Sequence, residues 1–586
     1  MNLDHNASPG PAVSGLSDIS TPPRAFVALP PDLRARLERS PLSEFFVPPT
    51  RLLWQSPAGV AHAERLLAPS PGQIGLSEPV PPCTLTASTA HGPAGVLIDF
   101  GCELHGYVEL FCPGRDNKAA PPLRVRFGES ASEAMSEPGV KGAQNDHALR
   151  DFTTGLPWMG KIRVGPSGFR FVRLDALDPA QPVTLAEVRA VLVIRDLPRP
   201  GAFRCSDERL NRIWQTGAYT VHLNLQEYLW DGIKRDRLVW IGDMHPETST
   251  VNAVFGGIDA VPRSLDLTRD RTPADQWMNG ISSYSMWWVL IQEQWWLHHG
   301  NRAYLEQQAP YLRALLAKLA SLVGPDGHEK LDGWRFLDWP SSTNPVGVTA
   351  GVQALLVLTL DAGVRLLREL GDDPASIAAA ADRARTVVLD ANGSKSGAAL
   401  QVLSGQCDAR EVAAQILKPG GAAGVSTFYG YYVLCALGRA GEISSALELI
   451  RSYWGAMLDR GATTFWEDFN LEWLAGSSRI DELPTPGQKD LHGDYGAYCY
   501  EGFRHSLCHG WASGPTAWLS EYVLGFQPLA PGCSRLRVAP QLGDLAWAEG
   551  SYPTPRGPVK VRHERGADGE IHSHIDAPAG IEMVRA

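Results

Sequence analysis

No Cys-x-x-Cys pair occurs among the nine cysteines, which stand at 83, 102, 112, 205, 407, 435, 499, 508 and 533, and their number is odd. That scatter excludes a zinc ribbon and a disulfide framework, and it fits reduced thiols in a cytoplasmic protein. The 586 residues contain no Walker loop, no G-x-S-x-G elbow and no G-x-G-x-x-G turn, so nucleotide cradles and serine-hydrolase nucleophiles are not expected. There is no surplus of positive charge. The formal net charge is −11, which repels nucleic acid and anionic membrane alike. The start, "MNLDHNASPGPAVSG", has no basic region followed by an apolar run, so no secretory signal is read there. No apolar run is read as reaching the ~20 residues that span a bilayer. The expectation is a protein without nucleic-acid or membrane partners, cofactor or metal.

Tryptophan is plentiful, with 18 residues. Its flat apolar face and single N–H donor suit the C–H face of a sugar ring, although large helical proteins also use it as core filler. The length implies three or four domains at about 100–200 residues each. Residues 1–45, rich in Pro, Ser and Ala, read as a flexible arm. Residues 46–204 read as β-structure: "GVLIDFG", "GYVELFCPG", "PLRVRFGES" and "GFRFVRLDAL" are β-branched or aromatic runs between Gly and Pro, as in a β-sandwich. From 205 the spacing becomes helical, with Leu210, Ile213 and Trp214, then Leu312, Leu315, Leu316 and Leu319. Residues 205–525 are expected to be almost all helix, about a dozen of them at ~25 residues per helix and loop. Paired helices closing into an (α/α)6 toroid fit that count. Residues 526–586 return to strands, as a small C-terminal β-domain.

One stretch combines charge and tryptophan unusually: "YLWDGIKRDRLVWIGDMHPE", residues 228–247, carries Asp231, Asp236, Asp243 and Glu247 beside Trp230, Val239 and Trp240. On a continuous helix Asp231 would lie about 120° from the face of Asp236 and Asp243. Gly232 and Gly242 disfavour a helix, so a loop aiming these side chains into one cavity is the better reading. Lys234, Arg235 and Arg237 would hold some of the carboxylates ionised. As an isolated cluster, this could also be a set of surface ion pairs.

The frame D-x-x-x-R-[acid]-R-x-x-W-x-G-D resembles the signature of the α-L-rhamnosidases of glycoside hydrolase family 78. The resemblance covers about residues 90–575. It implies that Asp236 is the proton donor, that Asp231, Arg235 and Asp243 bind sugar, and that Trp240 lines the pocket. "TTFWEDF" (463–469) resembles the family's general-base segment and points to Glu467. "FLDWPSS" (336–342) points to Asp338 and Trp339, "SLCHGWASGP" (506–515) to His509, and "SMWWVL" (285–290) to Trp287 or Trp288. The family's usual acid at the middle position is Glu, whereas Asp236 is shorter by one methylene, roughly 1.5 Å of reach. Glu247 is therefore a competing donor.

The chemistry agrees with the resemblance. Glycoside hydrolysis needs a protonated carboxyl at the leaving oxygen and an ionised one opposite, ~6.5–9.5 Å apart when a water is activated with inversion. Asp236 should carry a raised pKa from neighbouring carboxylates and from burial against Trp240, with Arg235 and Arg237 turned toward other acids. The expected activity is exo-acting, inverting release of terminal α-L-rhamnose from a carbohydrate substrate. The alternatives are the same fold acting on a different or acidic-sugar-linked deoxy-sugar, as hydrolase or lyase, and a non-catalytic carbohydrate-binding protein. His298 and His299 read as a helix end. His245 and Glu247 alone are too few for a metal.

Overall fold

The computed structural model describes residues 32, 36–69, 71–77, 80–115, 120–147 and 149–585. Most of the expected flexible arm, residues 1–31 and 33–35, lies outside the described residues. Strand structure begins at Ser43–Val47, slightly before the expected boundary at 46.

The first β-region is antiparallel. Its largest sheet centres on two long strands, Ala94–Cys112 and Gly160–Ala176, paired along most of their length. Pro122–Gly128 and Asp151–Gly155 extend one side, and Glu187–Ile194 and Ser43–Val47 the other. A smaller sheet contains Cys83–Leu85 and Val183–Leu185. Side chains of both sheets, among them Leu85, Val96, Ile98, Val172 and Leu185, share one apolar core, as period-two alternation of apolar residues requires.

Ala202–Cys205 departs from expectation. It pairs with Trp547–Tyr552 and so belongs to the C-terminal sheet rather than to the first β-region. The remaining terminal strands are Val559–Arg565 and Ile571–Asp576 in that sheet, with Phe526–Pro528, Arg535–Val538 and Glu582–Arg585 in a second one.

Between these lie the helices, including Glu208–Asn224, Met244–Val254, Ser282–His299, Arg302–Ser321 and Pro345–Leu370. Asp207 and Asn301 cap two of them through side-chain oxygens, and Gly371 ends the longest in a left-handed turn (φ 81°), where glycine carries no Cβ penalty. Gly430–Arg439 and Ile443–Leu449 are separated at "AGE", close to the break read from the sequence.

Two expectations fail here. Pro345–Leu370 is long and apolar enough to cross a membrane, but 78% of its apolar window is buried within the protein. It packs against Ser282–His299, Ala375–Arg385 and Lys395–Leu403, and a helix covered by neighbours over most of its surface is apolar over most of its surface. Nor is 205–525 almost all helix. Residues 225–243, 322–344 and 460–513 run mainly as loops with short 3-10 turns. These three loops carry most of the side chains described next.

Candidate active site

The segment 228–243 is a loop pinned at its neck. Asp231 N–H donates to the Leu238 carbonyl at 3.1 Å, and the Leu238 N–H donates to the Asp231 carboxylate at 2.9 Å. The Asp231 carbonyl accepts from Gly510 N–H at 2.8 Å and from the Asn224 amide at 3.0 Å. Between these ties the chain turns sharply, and Asp236 and Arg237 both take left-handed backbone angles (φ 54° and 55°). Such residues cost about 1–3 kcal/mol each and persist where the surroundings over-determine them. Lys234 supplies part of that constraint: its buried ammonium lies 3.0 Å from Glu129 and 3.3 Å from Glu133 of the first β-region, and 2.9 Å from the Phe503 carbonyl. Burial opposes the charge on Lys234, but the two glutamates outweigh it and raise its pKa.

A cavity of about 230 Å³ opens beside this loop. Asp231, Arg235, Asp236, Trp240, Asp243, Trp339, Glu467 and His509, all expected from sequence, line it. Arg235 is the link. One terminal nitrogen donates to Glu467 in a short hydrogen bond, and the other lies 3.4 Å from Asp236. The expectation that Arg235 and Arg237 turn toward other acids holds for Arg235 only in part, since it holds Glu467 but also approaches Asp236, and it fails for Arg237, which donates to the His147 carbonyl at 3.0 Å. His147 also places Nδ1 3.2 Å from Asp236.

Glu467 is buried, and its second oxygen accepts from Ser506 N–H at 3.0 Å. Burial raises its pKa, with Arg235 and the Ser506 N–H opposing. Asp231 and Asp243 are pushed well above the usual carboxylate range, in both cases chiefly by burial. Nearby Asp236 and Asp243 add to this at Asp231, and Glu467 adds to it at Asp243, where the Tyr284 hydroxyl opposes by donating at 3.0 Å. His509 Nε2 stands 3.5 Å from Glu467 and 3.8 Å from both Asp231 and Asp243. Burial first, then Arg235 and His505, hold its imidazole well below the usual range. A neutral ring with its proton on Nε2 presents a donor to three acids. The Trp240 indole N–H has no partner among the described residues.

Four expected residues fall elsewhere. Trp287 and Trp288 are buried in the helical core. Trp287 stacks on Tyr432 with centroids 4.8 Å apart, and the Trp288 indole donates to the Leu265 carbonyl at 3.3 Å. Asp338 turns to the other side of the wall that Trp339 lines, where Ser341 and Ser426 satisfy its two oxygens. Glu247 is buried behind the cavity, its carboxylate against Gly510, and so does not reach the site as a donor. Tyr284, Trp334, Phe336, Tyr500 and Trp511 line the cavity and were not anticipated. Phe336 and Trp511 lie inside the matched segments and Trp334 two residues before one, so nearness to those segments is the signal that could have found them. His147 and Arg504 carry no such signal.

Among the described residues, Glu129, Glu133 and His492 are close enough to share a metal ion. Lys234 already supplies a cation to that group.

The class of protein is a multidomain architecture, a helical domain with β-sheet domains before and after it in the chain, and the helical domain bears an acid-lined, aromatic-walled cavity. Residues 198–363 match the bacterial α-L-rhamnosidase six-hairpin glycosidase domain, and 525–584 the bacterial α-L-rhamnosidase C-terminal domain. An α-L-rhamnosidase of Alteromonas sp. (strain LOR) is 31% identical over 140 residues, 23% of this chain and 13% of that protein. One of Formosa agariphila is 21% identical over 277 residues, 42% of this chain and 29% of that one. The chain therefore spans less than a third of the length of these curated relatives. Among solved structures, the family 78 rhamnosidase of Bacillus sp. GL1 aligns with TM-score 0.71 and 25% identity over 90% of this chain and 56% of its own. The Klebsiella oxytoca rhamnosidase with rhamnose bound aligns with TM-score 0.65 and 21% identity over 82% and 96%. Two segments of the chain thus match bacterial α-L-rhamnosidase domains, and its fold is similar to that of a solved family 78 rhamnosidase.

Proposed function

We propose that the chain hydrolyses terminal α-L-rhamnosides, acting from the chain end and inverting the anomeric centre. The observation that carries this reading is Arg235, which holds Glu467 with one nitrogen and approaches Asp236 with the other, so that two carboxyls face one cavity without touching. Inverting hydrolysis uses such a pair with a water between them. Glu467, with one oxygen on Arg235 and one on a backbone N–H, is the base that activates water. Asp236, at the cavity's edge with its side chain 15% exposed, is the acid at the leaving oxygen. Asp231, Asp243, His509 and the Trp240 N–H bind the rhamnose hydroxyls, and Trp339 packs against the ring. The small volume, walled by aromatic side chains, suits one terminal ring and so exo action. The helical pairs between the sheets are read as an (α/α)6 toroid, and the first β-region as a sandwich.

Solved relatives described as bound to rhamnose, from Klebsiella oxytoca and Streptomyces avermitilis, support the sugar. The test is hydrolysis of a panel of nitrophenyl glycosides. Release of nitrophenol from the α-L-rhamnoside is expected, and cleavage of another deoxy-sugar in its place would reassign the substrate. Binding without turnover would favour a lectin-like role.

A further inference from the structure

One buried carboxylate of the first β-region supports both the loop that carries Asp236 and the segment that holds Glu467. Glu129, 1% exposed, directly follows the strand Pro122–Gly128. Its Oε2 accepts from Leu507 N–H at 2.6 Å and lies 3.0 Å from the Lys234 ammonium. Its Oε1 accepts from the Ser506 hydroxyl at 3.3 Å. Glu129 lies outside both stretches that match rhamnosidase domains, and it does not line the 230 Å³ cavity.

The contacts of Glu129 lead to the reacting groups by two routes. The first is a single peptide unit. The Ser506 carbonyl and the Leu507 N–H belong to the same plane and point in opposite directions. The carbonyl accepts from Glu467 N–H at 2.9 Å while the N–H donates to Glu129. Ser506 N–H, one unit back, donates to the Glu467 carboxylate at 3.0 Å. The segment that orients Glu467 is thus clamped from behind by Glu129. The second route runs through Lys234, the neighbour in sequence of Arg235, whose guanidinium meets Glu467 and Asp236. The sheet backbone presses on the same point: a Cβ at Gly168 would lie 2.7 Å from the Lys234 nitrogen.

A plain counter-ion role is the competing reading, and the geometry weighs against it. Lys234 has Glu133 at 3.3 Å, and it donates to the Phe503 and His505 carbonyls at 2.9 and 2.5 Å. Its countercharge is therefore duplicated, whereas the acceptor facing Leu507 is supplied by Glu129.

We infer that Glu129 is a positioning residue of the hydrolytic centre: by its reach rather than its charge it fixes the 506–507 peptide that orients Glu467, and it thereby makes the first β-region part of the catalytic apparatus. This deepens the rhamnoside reading and rests on it.

The test uses the full chain with Glu129→Asp and Glu129→Gln. Asp keeps the charge opposite Lys234 but is shorter by roughly 1.5 Å, so it falls short of Leu507 N–H. Gln keeps the length and an acceptor oxygen but loses the charge. Calorimetric titration with L-rhamnose counts the competent sites, and turnover of nitrophenyl α-L-rhamnoside is expressed per site. Glu129→Asp should lose about 10–10²-fold in kcat per site, the scale of a displacement of about 1 Å at a reacting group, while rhamnose affinity persists. Its acid limb of kcat/KM should also move upward, because the Ser506 N–H that holds the Glu467 carboxyl down is released. Glu129→Gln should regain most of both losses. If Glu129→Asp does not fold, the acid limb of Glu129→Gln decides alone: it stays in place if reach matters and moves if charge does. Gln as the more damaging change would make Glu129 a counter-ion and overturn the inference. So would an Asp variant whose loss equals its missing sites, with the acid limb unmoved. A wild type that cleaves no rhamnoside overturns the rhamnoside reading and this inference with it, whereas wild-type cleavage with either of those variant results overturns this inference alone.

Discussion

Replacing Arg235 by methionine isolates the charge that joins the two carboxyls. The guanidinium donates to Glu467, lies 3.4 Å from Asp236 and is nearly buried. The Glu467 carboxyl is raised by burial and held down by Arg235 and by the Ser506 N–H. Deleting Arg235 removes the largest of its restraints, so the pKa of Glu467 climbs further. At an effective dielectric of about 20, unit charges ~4 Å apart interact by about 4 kcal/mol, which corresponds to about 3 pKa units at 1.36 kcal/mol each. Water entering the vacated space reduces this, and a rise of about 1–3 units is expected. A base works ionised, so the acid limb of kcat/KM against pH should move upward by that amount. Arg235→Lys should restore part of the shift but not the activity, because one ammonium cannot serve two carboxyls as a planar fork does. The assay is the pH profile on an aryl α-L-rhamnoside. An acid limb that stays in place in Arg235→Met would mean that Glu467 is not the titrating base.

Asp236→Asn should cost a nitrophenyl rhamnoside about 10²-fold or less in kcat and a disaccharide about 10⁴-fold, since only the poor leaving group needs the proton. Equal losses on both substrates would move Asp236 to sugar binding. Glu467→Gln should lower kcat by about 10²–10⁴-fold while the affinity for rhamnose persists, and a variant with near wild-type turnover would remove Glu467 from the mechanism. Glu247→Gln should stabilise the protein increasingly as pH rises. Burial, then Asp243 and Asp231, raise the Glu247 carboxyl well above its usual range, with the nearby Asn224 amide opposing. The folded state therefore keeps a proton that the unfolded chain releases above about pH 4.3, and wild-type stability falls with pH from there toward the folded pKa. The difference in Tm between variant and wild type should widen across that window, and a constant difference would show that Glu247 does not titrate in it.

The site was legible in sequence where chemistry and spacing coincide on one loop. Asp231, Asp236, Trp240 and Asp243 sit within thirteen residues, and the glycines that break the helix there also disclose the loop. Glu467 and His509 emerged through their segments, and the structure joins those segments by Glu467 N–H to the Ser506 carbonyl at 2.9 Å. Facing was not legible. Ser282–His299 is buried along most of its length, so its pattern does not tell a pocket tryptophan from a core one. At 338–339 the chain enters a 3-10 turn, and Trp339 reached the cavity while Asp338 turned to the serines behind it. Contributions from distant segments left no local trace. His147 comes from a β-region loop, and the pairing of Ala202–Cys205 with a strand some 340 residues later is set by tertiary packing.

The most direct test of the central claim is the anomer first released. Nitrophenyl α-L-rhamnoside incubated with the protein and followed by proton NMR from the earliest minutes should show β-L-rhamnose appearing first, with the α-anomer growing in only by mutarotation. First release of α-L-rhamnose would mean a covalent intermediate and a nucleophilic carboxylate, and would contradict the assignment of Glu467 as a base acting on water across Arg235.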